Sequence, residues 1–235
     1  NMLPTNDFDS ERQPLWARYS MELHGSETSE DAEAGDATGV RLSTSRGEIR
    51  AIFHCPQRDN ETAVLWLSGS RGGVNGPANG LYLDLAVELA AEGIASLRLD
   101  YRMPANLDES TLDALAGVWH LAESGFPRVA VVGHSFGGGV AISVSRYSTH
   151  VRGVAALASQ TLGAQDVVLL SPRPLLLVHG EADDVLPVAN AELIYGWAFE
   201  PKRVVTYPGA KHGLREAGDE LRELLREWLP KAVAS

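Results

Sequence analysis

Residues 128–140 read Arg-Val-Ala-Val-Val-Gly-His-Ser-Phe-Gly-Gly-Gly-Val, a β-branched run that stops at a Gly-x-Ser-x-Gly motif. The run predicts a buried strand over 128–132, and the small residues beyond it predict the start of a helix. A strand can turn so sharply into a helix only where side chains are absent on either side of the turn, as they are at Gly133 and Gly137. Ser135 would then lie at the tip of the turn with its hydroxyl exposed, which is the position of a serine nucleophile.

A serine hydroxyl reacts at neutral pH only when a histidine, itself oriented by a carboxylate, takes its proton. The sequence places candidates for both groups after two further predicted strands. Strand 174–178 leads into Asp183 and Asp184, and strand 203–207 leads into His212, which lies in a glycine-flanked loop. Functional groups of open α/β sheets gather at the carboxyl ends of the strands. We therefore expect the serine, the histidine and one of the two aspartates to meet there.

The predicted elements specify an α/β fold. From residue 40 onward, strands and helices alternate, which indicates a mostly parallel sheet with helices on both faces and right-handed crossovers. An antiparallel hairpin of strands 40–44 and 49–54 precedes them. Residues 159–172 form the only link between two late strands and are too few for a helical cap. The remaining strands are predicted at 63–67, 94–99, 128–132, 151–157, 174–178 and 203–207, and the helices at 78–92, 109–124, 136–147, 188–199 and 216–229.

Residues 1–39 differ in composition from the rest of the chain. They contain nine of the 31 acidic residues and only two of the 20 basic ones. We predict an acidic, partly disordered N-terminal arm over 1–39, followed by a single catalytic domain over 40–235. Within the arm, residues 25–36 are expected to be a solvated loop and residues 16–23 a strand or a docked segment.

Composition argues against several classes of partner. The net charge of −11 disfavours binding to nucleic acid or to an anionic membrane surface. No apolar run of about 18 residues occurs and no leader peptide opens the chain, so we expect a cytoplasmic protein. Cys55 is the single cysteine, which excludes an intramolecular disulfide, and we expect its thiol to be buried. No histidines have metal-ligand spacing, and the glycine-rich runs lack phosphate-binding and dinucleotide-binding signatures, so neither a metal nor a cofactor is expected.

The order serine, acid, histidine is that of the α/β-hydrolase superfamily, and the chain resembles its small, capless, dienelactone-hydrolase-like serine esterases. The Gly-x-Ser-x-Gly motif carries part of the resemblance. Residues 179–187 carry another part, because they are similar to the family's His-Gly-x-x-Asp-x-x-Val-Pro pattern. The register of that pattern selects Asp183 as the acid, with Asp184 as its rival. The resemblance thus implies a catalytic triad of Ser135, Asp183 and His212.

The resemblance also implies an oxyanion hole built from two backbone N–H groups. One would be the N–H of Phe136. The other comes from the loop that begins at residue 68, which reads Ser-Gly-Ser-Arg-Gly-Gly where the family usually carries His-Gly. We expect Ser70 to supply it, with Arg71 as the alternative. Without a cap, loops should line the substrate pocket, and the candidate lining residues are Arg71, Leu162 and Leu186.

These observations predict a serine hydrolase, most specifically a carboxylesterase that cleaves small, short-chain esters through an acyl-enzyme intermediate. A thioesterase, a peptidase or an acyltransferase could use the same triad, and a binding module could keep the fold without catalysis. Two further histidines are interpreted as structural. His134 is expected to pack facing away from the catalytic base, and His179 is expected to form a turn.

Overall fold

The computed structural model describes residues 20–29, 37–58 and 60–234. Their strands are β1 (Leu23–Ser29), β2 (Ala37–Thr44), β3 (Gly47–His54), β4 (Thr62–Leu67), β5 (Ala95–Asp100), β6 (Arg128–His134), β7 (Val151–Leu157), β8 (Leu175–Gly180) and β9 (Lys202–Tyr207). Their α-helices are α1 (Leu81–Ala91), α2 (Leu107–Glu123), α3 (Phe136–Tyr147), α4 (Ala189–Trp197) and α5 (Gly218–Ala234). The helices and strands predicted from residue 40 onward are all present, with ends that differ by a few residues.

The nine strands form a single sheet in the order β1-β2-β3-β5-β4-β6-β7-β8-β9. In this order, each strand from β5 through β4 to β9 pairs in parallel with its neighbour. The pairs β1–β2, β2–β3 and β3–β5 are antiparallel. The predicted fold class, a mostly parallel sheet preceded by an antiparallel hairpin, is confirmed. Because β4, β6, β8 and β9 are parallel, their carboxyl ends lie along one edge of the sheet, and the loops that leave these ends can meet.

The sheet is buried on both faces by helices. Successive side chains of a strand point to opposite faces, so Leu65 of β4 packs on one face and Trp66 on the other. The core on the first face includes residues of α2, α3 and α4, and the core on the second face includes residues of α1 and α5. Central strands buried on both faces explain the uninterrupted apolar runs in the sequence.

The structure corrects the prediction for the N-terminal arm. Part of the expected solvated loop forms β1, which pairs antiparallel with β2, so the sheet begins at Leu23 rather than at residue 40. An edge strand obtains its backbone partners from one neighbour and can carry polar, exposed side chains, so β1 lacks the apolar alternation on which the prediction depended. Residues 1–19 and 30–36 lie outside the described residues. Of the segment 16–23, residues 20–22 precede β1 and contact the turn between β2 and β3, where the Glu22 N–H donates to Ser45 Oγ at 3.0 Å.

Two further features bear on the site. The link between β7 and β8 contains only a short 3₁₀ helix, Ala164–Leu169, and no cap is inserted there. Cys55 is exposed rather than buried, because β3 ends at His54 and the chain leaves the sheet before Pro56. In the described ranges, no helix has both the length and the apolar character that crossing a bilayer requires.

Candidate active site

The turn between β6 and α3 places Ser135 at the carboxyl edge of the sheet. β6 ends at His134 and α3 begins at Phe136, so the reversal takes place at Ser135, whose backbone has φ 57° and ψ −117°. A Cβ atom on Gly133 would lie 1.9 Å from the carbonyl oxygen of Gly137, closer than any real contact. One on Gly137 would lie 2.4 Å from the carbonyl oxygen of Ser68. The two glycines are therefore required by the close approach of backbone segments, as the sequence predicts.

The loops after β8 and β9 are held against each other by backbone contacts. The Ala182 N–H donates to the carbonyl of Ala210 at 3.0 Å, and the Glu181 N–H donates to the carbonyl of Tyr207 at 3.0 Å. This approach requires a glycine at position 180, where a Cβ atom would lie 2.2 Å from the Ala210 oxygen. The loop that carries Asp183 is thereby fixed relative to the loop that carries His212.

The structure brings the predicted serine, histidine and acid into one hydrogen-bonded chain. His212 Nε2 lies 2.9 Å from Ser135 Oγ, and His212 Nδ1 lies 2.9 Å from Asp183 Oδ2. Asp183 Oδ1 accepts two further bonds of 2.8 Å, from the N–H groups of Val185 and Leu186. Asp184 is exposed and makes no hydrogen bond or ion pair with other described residues. The geometry thus distinguishes the two adjacent aspartates.

Electrostatics favour the charged form of Asp183. Burial raises the pKa of the carboxyl, but the hydrogen bonds from the Leu186 N–H, the His212 ring and the Val185 N–H together outweigh it, so the pKa is lower than usual. A charged carboxylate can only accept at Oδ2, which places the ring proton of His212 on Nδ1. The lone pair on Nε2 then faces the hydroxyl of Ser135 and can take its proton.

His134 occupies a different place from the one predicted. Its ring does not face away from the base but packs against the ring of His212, with 5.0 Å between the centroids. Its Nε2 donates to the carbonyl oxygen of His212 at 2.9 Å. Burial is the main cause that lowers the pKa of His134 to about 4, so the ring is neutral near pH 7. His134 is a packing residue, as expected, but the residue that it holds in place is His212.

Backbone donors are available beside the serine hydroxyl. In the described part of the chain, the N–H groups of Phe136 and Ser70 donate to no other protein group. The loop of Ser70 lies against the serine, since a Cβ atom on Gly69 would be 3.6 Å from Ser135 Cβ. A bond of 2.7 Å from the Gly73 N–H to Asp100 Oδ1 fixes the far side of this loop.

Ser135 and His212 open into a cavity of about 760 Å³. Its walls are the loop 68–79, Val185 and residues 211–216. Three cationic side chains line it, and none of the three makes an ion pair or side-chain hydrogen bond with another described residue: Arg71, Lys211 and Arg215. One carboxylate also lines the cavity, that of Glu216, and it accepts from the backbone N–H of Lys211 at 3.0 Å. The cavity is thus locally cationic in a chain whose net charge is −11.

Of the three residues predicted to line the pocket, only Arg71 does so. Leu162 lines a separate cavity of about 400 Å³ beside the start of α2, because the segment after β7 runs close along α3: a Cβ atom on Gly139 would lie 2.3 Å from the Leu162 oxygen. The backbone of Leu186 contacts the acid instead: its N–H donates to Asp183 Oδ1, and its carbonyl accepts from His179 Nε2. Val185 takes its place at the cavity. Lys211 and Arg215 were not predicted, although their positions flanking His212 in the sequence are a usable signal.

Comparison with known proteins identifies the family. The sequence profile of the dienelactone hydrolase family matches residues 92–226. The chain belongs to the dienelactone hydrolase family. It is also 30% identical over 154 residues to the uncharacterized protein YfhR of Escherichia coli O157:H7, a match that covers 56% of this chain and 54% of that protein. The chain therefore spans about half the length of this curated relative.

Solved structures show the same fold. Est1E from Butyrivibrio proteoclasticus superposes with a TM-score of 0.73 at 16% identity, covering 84% of this chain and 99% of that one. The esterase domain of a Rhodothermus marinus protein gives a TM-score of 0.71 at 19% identity, covering 85% of this chain and 100% of that one. At these identities the likeness concerns the fold, which is that of the α/β-hydrolases. Among residues 20–29, 37–58 and 60–234, no three His, Cys, Asp or Glu side chains are grouped to hold a metal ion.

The close approach at the turn gives a stability prediction. Gly133→Ala should lower the free energy of unfolding by more than ~3 kcal/mol, because the new methyl group would overlap the carbonyl of Gly137. Gly196→Ala is the matched control, since nothing lies within 4 Å of its added Cβ atom and it lies in α4. It should be neutral or stabilise by up to ~1 kcal/mol. Urea denaturation measures both, and equal stability of the two variants would contradict the proposed backbone contact.

The environment of His134 predicts a pH dependence of stability. Unfolded, the ring takes up a proton near its ordinary pKa of 6.5, whereas the folded ring does so only near 4. Between these values the unfolded chain binds more protons, so the free energy of unfolding should decrease as the pH falls from 6.5 to 4. His134→Gln keeps an N–H donor but cannot titrate, and should show a shallower decrease in denaturation series across this range. The exposed His24→Gln should retain the wild-type slope, and an unchanged slope in His134→Gln would contradict the assignment.

Proposed function

We propose that the chain is a serine hydrolase that cleaves carboxylic esters through an acyl-enzyme on Ser135. One observation carries the proposal: Asp183, His212 and Ser135 form a continuous hydrogen-bonded chain that ends at the tip of a strained turn inside a cavity. A charged acid, a histidine with its free lone pair on the serine and an accessible hydroxyl are the elements that activate a serine. Membership of the family and the esterases among the solved structures support the same reaction class.

In the first half of the reaction, Ser135 Oγ attacks the ester carbonyl while its proton moves to His212 Nε2. The charge of Asp183 stabilises the resulting imidazolium. The carbonyl oxygen becomes an oxyanion, and the N–H groups of Phe136 and Ser70 are the proposed donors to it. When the tetrahedral intermediate collapses, the C–O bond to the alcohol breaks and His212 returns the proton to the departing oxygen. The acyl group remains bonded to Ser135.

In the second half, water replaces the alcohol. His212 Nε2 takes a proton from the water, whose oxygen forms a bond to the acyl carbon. The bond from that carbon to Ser135 Oγ then breaks, and Oγ recovers the proton from His212. The products are the free acid and the starting enzyme. Because no cap covers the cavity in the described residues, we expect small, short-chain, soluble esters to be better substrates than long-chain lipids.

The roles of the three residues are tested by substitution. Ser135→Ala should abolish hydrolysis of p-nitrophenyl acetate, and the variant should still fold, because the hydroxyl faces the cavity rather than the core. Asp183→Asn should lower kcat by about 10³ to 10⁴, since an amide in place of the carboxylate favours the wrong tautomer of His212. Asp184→Asn is the matched control and should retain nearly all activity, because its side chain has no partner among the described residues. Steady-state kinetics with circular dichroism distinguish these outcomes, and the reverse ranking of the two aspartates would transfer the acid role to Asp184.

The cationic side chains at the cavity predict a preference for anionic esters. An ester whose acyl or alcohol part carries a carboxylate should be hydrolysed with a higher kcat/KM than its neutral isostere, and added salt should reduce the difference. Arg71→Gln and Arg215→Gln should each lower kcat/KM for the anionic ester about two- to fivefold, as expected for screened charges, with less effect on the neutral one. Arg203→Gln removes an equal charge from the exposed face of β9, away from the cavity, and should change neither value. Equal losses of kcat/KM in all three variants would mean that only the net charge of the protein matters, and would contradict the predicted role of the cavity.

A further inference from the structure

The carboxylate of Asp183 has one more partner, which the reaction described above does not use. His179 is the penultimate residue of β8, and its side chain is completely buried. Its Nε2 lies 3.1 Å from Asp183 Oδ2 and 3.1 Å from the carbonyl oxygen of Leu186. Its other ring nitrogen, Nδ1, is buried with no hydrogen-bond partner in the described part of the chain.

These contacts fix the protonation of the His179 ring. Both atoms close to Nε2 are acceptors, so Nε2 must carry a proton, which it donates to the Leu186 carbonyl while Asp183 Oδ2 lies beside it. A second proton on Nδ1 would bury an N–H group without an acceptor, which is costly. His179 is therefore a neutral imidazole that donates from Nε2 to the carbonyl of Leu186, and this polar N–H group lies within 3.1 Å of Asp183 Oδ2.

The position of this contact distinguishes it from the hydrogen bonds on the same carboxylate. The backbone N–H groups of Val185 and Leu186 donate to Oδ1, whereas Oδ2 is hydrogen-bonded to His212 and lies 3.1 Å from Nε2 of His179. The oxygen that orients the catalytic base is thus also close to the polar N–H group of a second imidazole. The positive end of an N–H dipole near Oδ2 stabilises negative charge on that oxygen and reduces its attraction for the proton shared with His212.

We propose that His179 is a positioning residue for Asp183, and through it for His212: its Nε2–H holds the carbonyl of Leu186, whose own N–H binds Oδ1, and its dipole beside Oδ2 moderates the negative charge that His212 meets. The catalytic meaning of this inference rests on the proposed function. The contact itself does not, because it can be measured without turnover. His179 does not line the cavity, so any effect on the reaction must pass through the carboxylate.

The expected direction of the change at His212, when His179 is replaced, follows from charge. Without the His179 donor, Oδ2 is more negative, protonated His212 is more stable, and the base loses its proton at a higher pH. The other titratable or charged groups around His212 stay in place in the test variants, so they do not contribute to a difference: Asp183 and Ser135 in contact with the ring, His134 packed against it, and Arg71, Lys211, Arg215 and Glu216 around the same cavity.

The primary experiment is an NMR titration of the His212 ring in the wild-type chain, in His179→Leu and in His179→Gln, with the resonance assigned by its loss in His212→Gln. Leucine removes the donor while filling much of the space, and the Nε2 of glutamine can reach the position of the histidine Nε2. We expect the midpoint of the His212 titration to rise by about half a pH unit or more in His179→Leu and to return toward the wild-type value in His179→Gln.

The kinetic arm distinguishes positioning from a general structural role. His179→Leu should lower kcat for p-nitrophenyl acetate by about tenfold, the low end of the effect of residues that orient metal-bound histidines. KM should stay within about twofold of the wild-type value. The acid side of the pH profile should shift upward together with the NMR midpoint. In an Asp183→Asn background, the same substitution should cost less than about twofold, because the charge on which it acts is gone.

Defined results would overturn the proposal. A folded His179→Leu with an unchanged His212 midpoint and unchanged kcat excludes it, as does an equal loss of kcat with and without the Asp183 charge. If His179→Leu does not fold, His179→Asn and His179→Gln form a second pair, since the asparagine nitrogen reaches only the position of Nδ1; equal behaviour of the two contradicts the proposal. A shifted midpoint in a chain that hydrolyses no ester would support the contact with Asp183 while rejecting the proposed function.

Discussion

The site depends on one steric constraint, the contact between the backbone of β6 and that of the first turn of α3. Because Gly133 has no side chain, the carbonyl of Gly137 can lie where a Cβ atom would otherwise be, and Ser135 is forced into an unfavourable backbone conformation between them. Such strain persists only where the surroundings determine it. Here the Ser135 N–H donates to the carbonyl of Leu157 at 2.8 Å, and the Ser135 carbonyl accepts from the N–H groups of Gly138 and Gln160 at 3.0 and 3.3 Å. These bonds hold the hydroxyl at the edge of the sheet.

The polar groups opposite the serine are fixed by the same kind of contact. Gly180 allows the loops after β8 and β9 to approach, and the backbone bond from Ala182 to Ala210 joins them. The side chains then form a layered arrangement: His134 holds the backbone of His212, Asp183 holds its ring, and backbone N–H groups hold Asp183, with the ring of His179 packed beside its Oδ2. Each group that could ionise or rotate is restrained by a neighbour, which prepares the base before any substrate binds.

The sequence was sufficient for the features that depend on local chemistry. The glycines around Ser135 and the alternation of strands and helices specify the turn and the sheet, and strand order alone indicates that Ser135, His212 and an acidic residue share one edge. The family pattern, rather than geometry, selected Asp183 over Asp184. Features that depend on packing were missed or misplaced. β1 is an edge strand without apolar alternation, and Leu162 lies in a segment that packs along α3. The direction of the His134 ring depends on a residue distant in the chain.

Catalysis through Ser135 is tested most directly by trapping the covalent intermediate. The chain is mixed with p-nitrophenyl acetate, quenched in acid within the first turnovers, digested and examined by mass spectrometry. We expect an acetyl group on the peptide that contains Ser135, bonded to that serine. It should form as fast as p-nitrophenol is first released and be lost as hydrolysis proceeds. Acetyl groups only on other residues, such as Lys211, or steady turnover with no modified serine, would contradict catalysis through Ser135.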